Sequence, residues 1–108
     1  IGHEMTHGFD DKGRLYDSEG NLNDWWIESD AKNFEERSKK LEELFNGFSY
    51  FDISVNGKLT LGENIADLGG LTFSLKTLER LVETEDRLEQ IKKLFEQWAK
   101  IWRVGFNS

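Results

Sequence analysis

Apolar residues recur along this chain mainly at helical spacing. Over about Trp25 to Asn46, the positions Trp26, Phe34, Leu41, Leu44 and Phe45 keep to one helical face, and Asp24 is placed to cap its start. The clusters Glu35-Glu36-Arg37, Lys39-Lys40 and Glu42-Glu43 fall largely on the other faces. They predict a solvated surface with i,i+4 charge pairs. From near Gly62 to near Thr84, Ile65, Leu68, Leu71, Leu75, Leu78 and Leu81 or Val82 step by three and four, as a buried stripe does. Thr84 can cap a further helix of about Glu85 to Arg103, with Leu88, Ile91, Leu94, Phe95, Trp98, Ile101 and Trp102 on its apolar face. Between the helices, Phe48 to Val55 has the composition of a strand. Asn56-Gly57 is the favoured two-residue hairpin turn, and Lys58-Leu59-Thr60-Leu61 returns from it. A first helix is expected from the N-terminus to about Phe9 or Asp10. Turns follow at Asp11-Lys12-Gly13-Arg14 and Ser18-Glu19-Gly20-Asn21. The second of these lacks the D-x-[DN]-x-[DN]-G spacing of a calcium loop, so an ordinary turn is expected. Trp25 and Trp26 serve either packing or the wall of a pocket. The expected fold is mainly α, about four helices with one small β-hairpin, in one domain.

Two details sharpen this picture. Gly69 and Gly70 lie inside the third helix, where each costs about 1 kcal/mol against Ala. They predict close approach by another backbone, that of the N-terminal helix. That helix also carries both histidines of the chain, in the order His3-Glu4-Met5-Thr6-His7. Residues four apart share a helix face, so both imidazoles can address one cation. Glu4 stands beside the first of them, as the general base does in the H-E-x-x-H pattern of zinc peptidases. Its flanks, Ile1, Gly2, Met5, Gly8 and Phe9, are non-polar and suggest a buried helix opening onto a site.

Composition removes other classes. The 108 residues carry a net charge of −7, from 14 basic and 21 acidic side chains. Such a balance speaks against nucleic acid as a partner, because phosphate binding needs a basic face. There is no cysteine, hence neither a disulfide framework nor a thiolate metal site, which fits a reducing compartment. No apolar run approaches the roughly 20 residues of a membrane span, so no membrane segment is expected in this chain. The first residue is Ile, inside what should be a helix, and we expect the chain to be a piece of a larger protein.

Two histidines leave a catalytic zinc one protein ligand short, and His₂Glu is an established set. Gly62-Glu63-Asn64-Ile65-Ala66-Asp67 offers it. Glu63 can coordinate the metal. Asp67, one turn further on, can accept the second N–H of a ligand imidazole and fix its tautomer. Asp10 projects from the same face as His3 and His7 and is a second candidate for that task. The competing explanation is that Glu63 and Asp67 merely complement the dipole at a helix start.

The blocks His-Glu-Met-Thr-His-Gly-Phe-Asp-Asp at 3–11 and Gly-Glu-Asn-Ile-Ala-Asp-Leu-Gly-Gly at 62–70 resemble the two signature blocks of the neprilysin family of zinc endopeptidases. Asp24-Trp25-Trp26, Asn33-Phe34, Leu94-Phe95 and Ala99-Lys100-Ile101-Trp102 extend the resemblance over nearly the whole chain. It implies His3, His7 and Glu63 as zinc ligands, Glu4 as catalytic base, and Asp10 and Asp67 as partners of the ligand histidines. It also implies a thermolysin-like helical core, a partial catalytic domain over 1–108, zinc as cofactor and short peptides as substrates. Family enzymes place a substrate-binding Asn-Ala-aromatic stretch before the first block, and a histidine and an arginine after the second. Neither occurs in this chain, so the isolated fragment is expected to be inactive. Extracellular animal members are rich in disulfides, so a cysteine-free chain points to a bacterial member; its localisation is left open, with the cytoplasm favoured. Two readings of other classes stand beside this one. The chain could be a non-catalytic helical scaffold with vestigial metal binding, self-associating through uncovered apolar faces, or an interaction module in which the motif is accidental.

Overall fold

The computed structural model describes residues 1–103. Helix α1 spans Gly2–Thr6 and tightens into a 3₁₀ turn over His7–Phe9, and Asp10 then leaves with extended backbone. A second 3₁₀ turn covers Gly13–Leu15. Helix α2 runs over Glu28–Asn46, strands β1 and β2 over Ser49–Tyr50 and Ile53–Ser54, α3 over Leu61–Leu81 and α4 over Thr84–Trp102. The chain is therefore mainly α with one two-stranded antiparallel sheet, in which Ser49 faces Ser54 and Tyr50 faces Ile53. It divides into two compact units, Ile1–Leu71 and Thr72–Ser108. The first holds α1, α2, the hairpin and the start of α3. The second holds the rest of α3 and α4.

Three boundaries differ from the sequence pattern. Helix α2 starts at Glu28, not Trp25, with Ile27 rather than Asp24 at the cap position and no side-chain cap. Tertiary contacts override the local signal here. The Trp25 indole donates to the Tyr16 carbonyl over 2.7 Å. Its ring packs on Phe9 and Trp26, and Trp26 packs on Phe34. The Arg14 guanidinium lies 5.7 Å from the Trp26 ring and 5.0 Å from that of Phe34. This cluster holds the Trp pair outside the helix and gives both tryptophans a packing role. Helix α4 likewise includes Thr84 as its first residue, with Glu83 before it and no side-chain cap.

The hairpin is shorter than expected and turns elsewhere. Its tip is Phe51-Asp52, both in the left-handed region with φ of 48° and 65°. Asn56-Gly57 instead forms the entry to α3. The Asn56 side chain accepts from the Leu59 N–H, and the Asn46 side chain accepts from the Gly57 N–H. Gly57 is buried against the Glu42 carbonyl, so closely that a Cβ there would overlap it. The Asn-Gly pair thus serves close packing on the end of α2, a demand that a local hairpin signal cannot distinguish.

Burial is sparse. Leu61 (6% exposed) and Ala66 (0%) are the buried apolar residues among those described, joined by Thr6 and Asp10. Ile65, Leu71, Leu75 and Leu78 are half-buried, whereas Leu68 and Leu81 of the same stripe are exposed. Ile1, Met5 and Phe9 are exposed as well, so α1 is not the buried helix its flanks suggested. What α1 buries is the edge that touches α3. The charged side chains of α2 are mostly exposed, and the helix's ion pair among the described residues runs from Glu35 to Arg14, not along the helix.

Candidate metal centre

The site is assembled by two short stretches of backbone. On α1 and the turn after it, His3 and His7 lie one helical turn apart, with ring centroids 4.8 Å apart and planes nearly perpendicular. On α3, Glu63, Asp67 and Gly70 follow at i, i+4 and i+7 and form one stripe. Gly70 is buried, and a Cβ there would sit 2.6 Å from the His3 backbone nitrogen. One on Gly2 would sit 2.9 Å from the Gly70 Cα. The expected close approach of the two backbones at the glycines is therefore present.

That approach brings three side chains to one point. His3 Nε2 and His7 Nε2 are 3.1 Å apart. Glu63 Oε2 is 3.1 Å from His3 Nε2, and Glu63 Oε1 is 3.3 Å from His7 Nε2. Ligand atoms at 2.0–2.1 Å from a tetrahedral ion stand about 3.3–3.4 Å from each other. His3 and His7 each face a different oxygen of the Glu63 carboxylate at close to that spacing, one ligand atom from each residue lies within 4.8 Å of the others, and the donor set of two imidazoles and one carboxylate suits zinc. These residues could hold one divalent cation with a coordination position to spare.

The imidazoles are oriented from behind. His7 Nδ1 donates to Asp10 Oδ2 over 2.7 Å, which leaves the Nε2 lone pair turned toward His3 and Glu63. Asp10 is itself fixed. It is 7% exposed, and its Oδ1 accepts from the Lys12 and Gly13 N–H groups over 3.0 and 2.6 Å. The hydrogen bond to Asp10 raises the His7 pKa against the opposing effect of burial, and the charges of Glu63, Asp10 and Glu4 add to the rise. Burial alone would push the Asp10 carboxyl up. The bonds from His7, Gly13 and Lys12 outweigh it and hold the carboxyl below its ordinary range. His3 Nδ1 faces Asp67 Oδ1 at 3.7 Å, a looser arrangement. Glu4 is exposed on the same helix, near enough for its charge to act on His7.

Sequence reasoning missed the part of the Asp11–Arg14 turn in this arrangement. The turn is where Asp10 finds its donors. Gly13 is required because a Cβ there would overlap the His7 carbonyl. The signal was available in Asp10-x-x-Gly13, since Asp accepts N–H bonds two and three residues on in such turns.

Comparison with known proteins gives one family. The model of peptidase family M13 matches residues 1–106. The chain is 43% identical to a neutral endopeptidase of Lactococcus lactis subsp. cremoris over 96% of its own length and 16% of the relative's. It is 38% identical to endothelin-converting enzyme 1 of Cavia porcellus, over 98% of this chain and 14% of that one. Among solved structures, the Mycobacterium tuberculosis zinc metalloprotease Zmp1 in complex with an inhibitor superposes with a TM-score of 0.84 at 39% identity, covering 94% of this chain and 17% of Zmp1. The chain thus spans about one sixth of the length of these relatives.

Proposed function

The chain belongs to peptidase family M13, and from that membership we propose that it carries the zinc-binding core of a metallo-endopeptidase acting on short peptides. His3, His7 and Glu63 hold the ion, Glu4 is the general base, and Asp10 and Asp67 orient the two imidazoles. The observation that carries this reading is the convergence of His3 Nε2, His7 Nε2 and the Glu63 carboxylate, each 3.1–3.3 Å from the others. Zinc held there would supply Lewis acidity toward a peptide carbonyl and would make attack by water possible near neutral pH.

The residues of the chain supply the rest. Glu4, next to the first ligand, takes the proton of the attacking water and returns it to the leaving amine. Asp10, fixed by two backbone N–H groups, holds His7 with its proton on Nδ1, so that Nε2 stays available as a ligand. Asp67 does the same for His3. The carboxylate of Glu63 offsets part of the ion's charge. In a peptidase bearing these residues, Glu4→Gln should retain zinc and lose turnover. Cleavage by that variant at the parent rate would refute the assigned base. The 108 residues alone should show little hydrolysis. Losing even one group that stabilises the transition-state oxyanion lowers a rate about 10²–10³-fold, and this chain is 16% of its lactococcal relative.

A further inference from the structure

Thr6 occupies the position between Met5 and His7 and has no part in the centre described above. It is nevertheless the most buried residue of α1, at 8% exposed. Its hydroxyl donates to the Gly2 carbonyl over 2.6 Å, which fixes its rotamer. The same side chain lies against Gly69. A Cβ on Gly69 would stand 2.5 Å from Thr6 Cγ2, 2.6 Å from Oγ1 and 3.1 Å from Cβ. The two chain segments therefore meet at two rungs. Gly2 and His3 rest on Gly70, and Thr6 rests on Gly69 one turn further along α1. A single rung fixes a distance but leaves α1 free to roll about its axis. The second rung removes that freedom.

We infer that Thr6 and Gly69 form a positioning contact that sets the roll of the motif helix, so that His7 reaches Glu63 while His3 keeps its place on the Gly70 stripe. The inference rests on the metal-centre reading. Thr6 acts through the histidines and touches no reacting atom. Its size is the relevant property: anything larger at 69 pushes Thr6, and with it the adjacent His7, away from α3.

The test uses the full chain with Gly69→Ala, Thr6→Ala and the double variant. Zinc affinity is read by competition with a chromophoric chelator, and unfolding temperature is read in the metal-free state. Without a tight contact, Gly→Ala inside a helix raises stability and leaves a distant centre alone. With it, Gly69→Ala should weaken zinc binding about 10–100-fold, as loss of a ligand-orienting partner does. Thr6→Ala added to it should restore affinity to within a few-fold, because removing Oγ1 and Cγ2 leaves a Cβ–Cβ distance that a shift of a few tenths of an ångström relieves. Parent-like affinity in Gly69→Ala, or a double variant no better than the single, would overturn the inference. If the parent itself takes up no zinc, the metal-centre reading fails instead. The contact is then judged by unfolding: a lowered Gly69→Ala value restored by Thr6→Ala upholds it, and a raised Gly69→Ala value overturns it.

Discussion

At the scale of the residue, the pair His7–Asp10 shows how a local turn conditions an imidazole that we propose as a metal ligand. Asp10 accepts three hydrogen bonds, one from the imidazole and two from backbone. The folded pKa of His7 lies above its ordinary 6.5, so its contribution to stability is present below pH 6.5 and fades as pH rises through the folded value. That of Asp10 lies below its ordinary 3.8, so its contribution is present above pH 3.8 and is lost as pH falls through the folded value. The metal-free chain should thus gain most from this pair between pH 3.8 and 6.5. Zinc follows the opposite course above that window, because a ligand imidazole must shed its second proton. Asp10→Asn should flatten the first dependence and weaken zinc binding about 10–100-fold. Unfolding and zinc titrations from about pH 4 to about pH 8 check both, and an unchanged zinc affinity would show that Asp10 does not orient His7.

Much of this was legible in the sequence, and the reason is spacing. His3 and His7 at i,i+4, and Glu63 and Asp67 at i,i+4, define one face on each of two helices by spacing alone. Gly69-Gly70 announces where those helices touch. Thr6 was not legible as a contributor, because its role depends on what lies against it in space, and a threonine in a helix is locally ordinary.

At the scale of the element, the differences arise where a local signal meets a competing demand. Local signals at Asp24, Asn56-Gly57 and Thr84 were outweighed by tertiary packing or by a neighbouring residue with suitable backbone. The relocated hairpin turn gives a direct check. Gly57→Ala, which pushes a Cβ into the Glu42 carbonyl, should cost about 1–3 kcal/mol, as overpacking does. Asp52→Gly at the actual tip should raise stability by up to about 1 kcal/mol, since the left-handed conformation burdens residues with a Cβ. Thermal unfolding of both variants distinguishes the two placements of the turn. A neutral Gly57→Ala together with a destabilising Asp52→Gly would contradict the observed one.

At the scale of the whole molecule, the outstanding property is uncovered apolar surface. Leu88, Phe95, Trp98, Ile101 and Trp102 of α4 are exposed, as are Tyr50, Phe51 and Ile53 of the hairpin. Soluble monomers rarely leave large apolar patches uncovered. We expect the 108-residue chain to self-associate at high concentration, and light scattering that finds a monomer there would contradict this. The same sparseness of core leaves the centre dependent on the close contact of α1 with α3, which joins His3 and His7 to Glu63.

Whether these three side chains form one metal site is read from bound zinc per chain in purified protein, for the parent and for Glu63→Ala. The parent should carry near one zinc per chain and the variant far less. No zinc in either, or equal zinc in both, would contradict such a site.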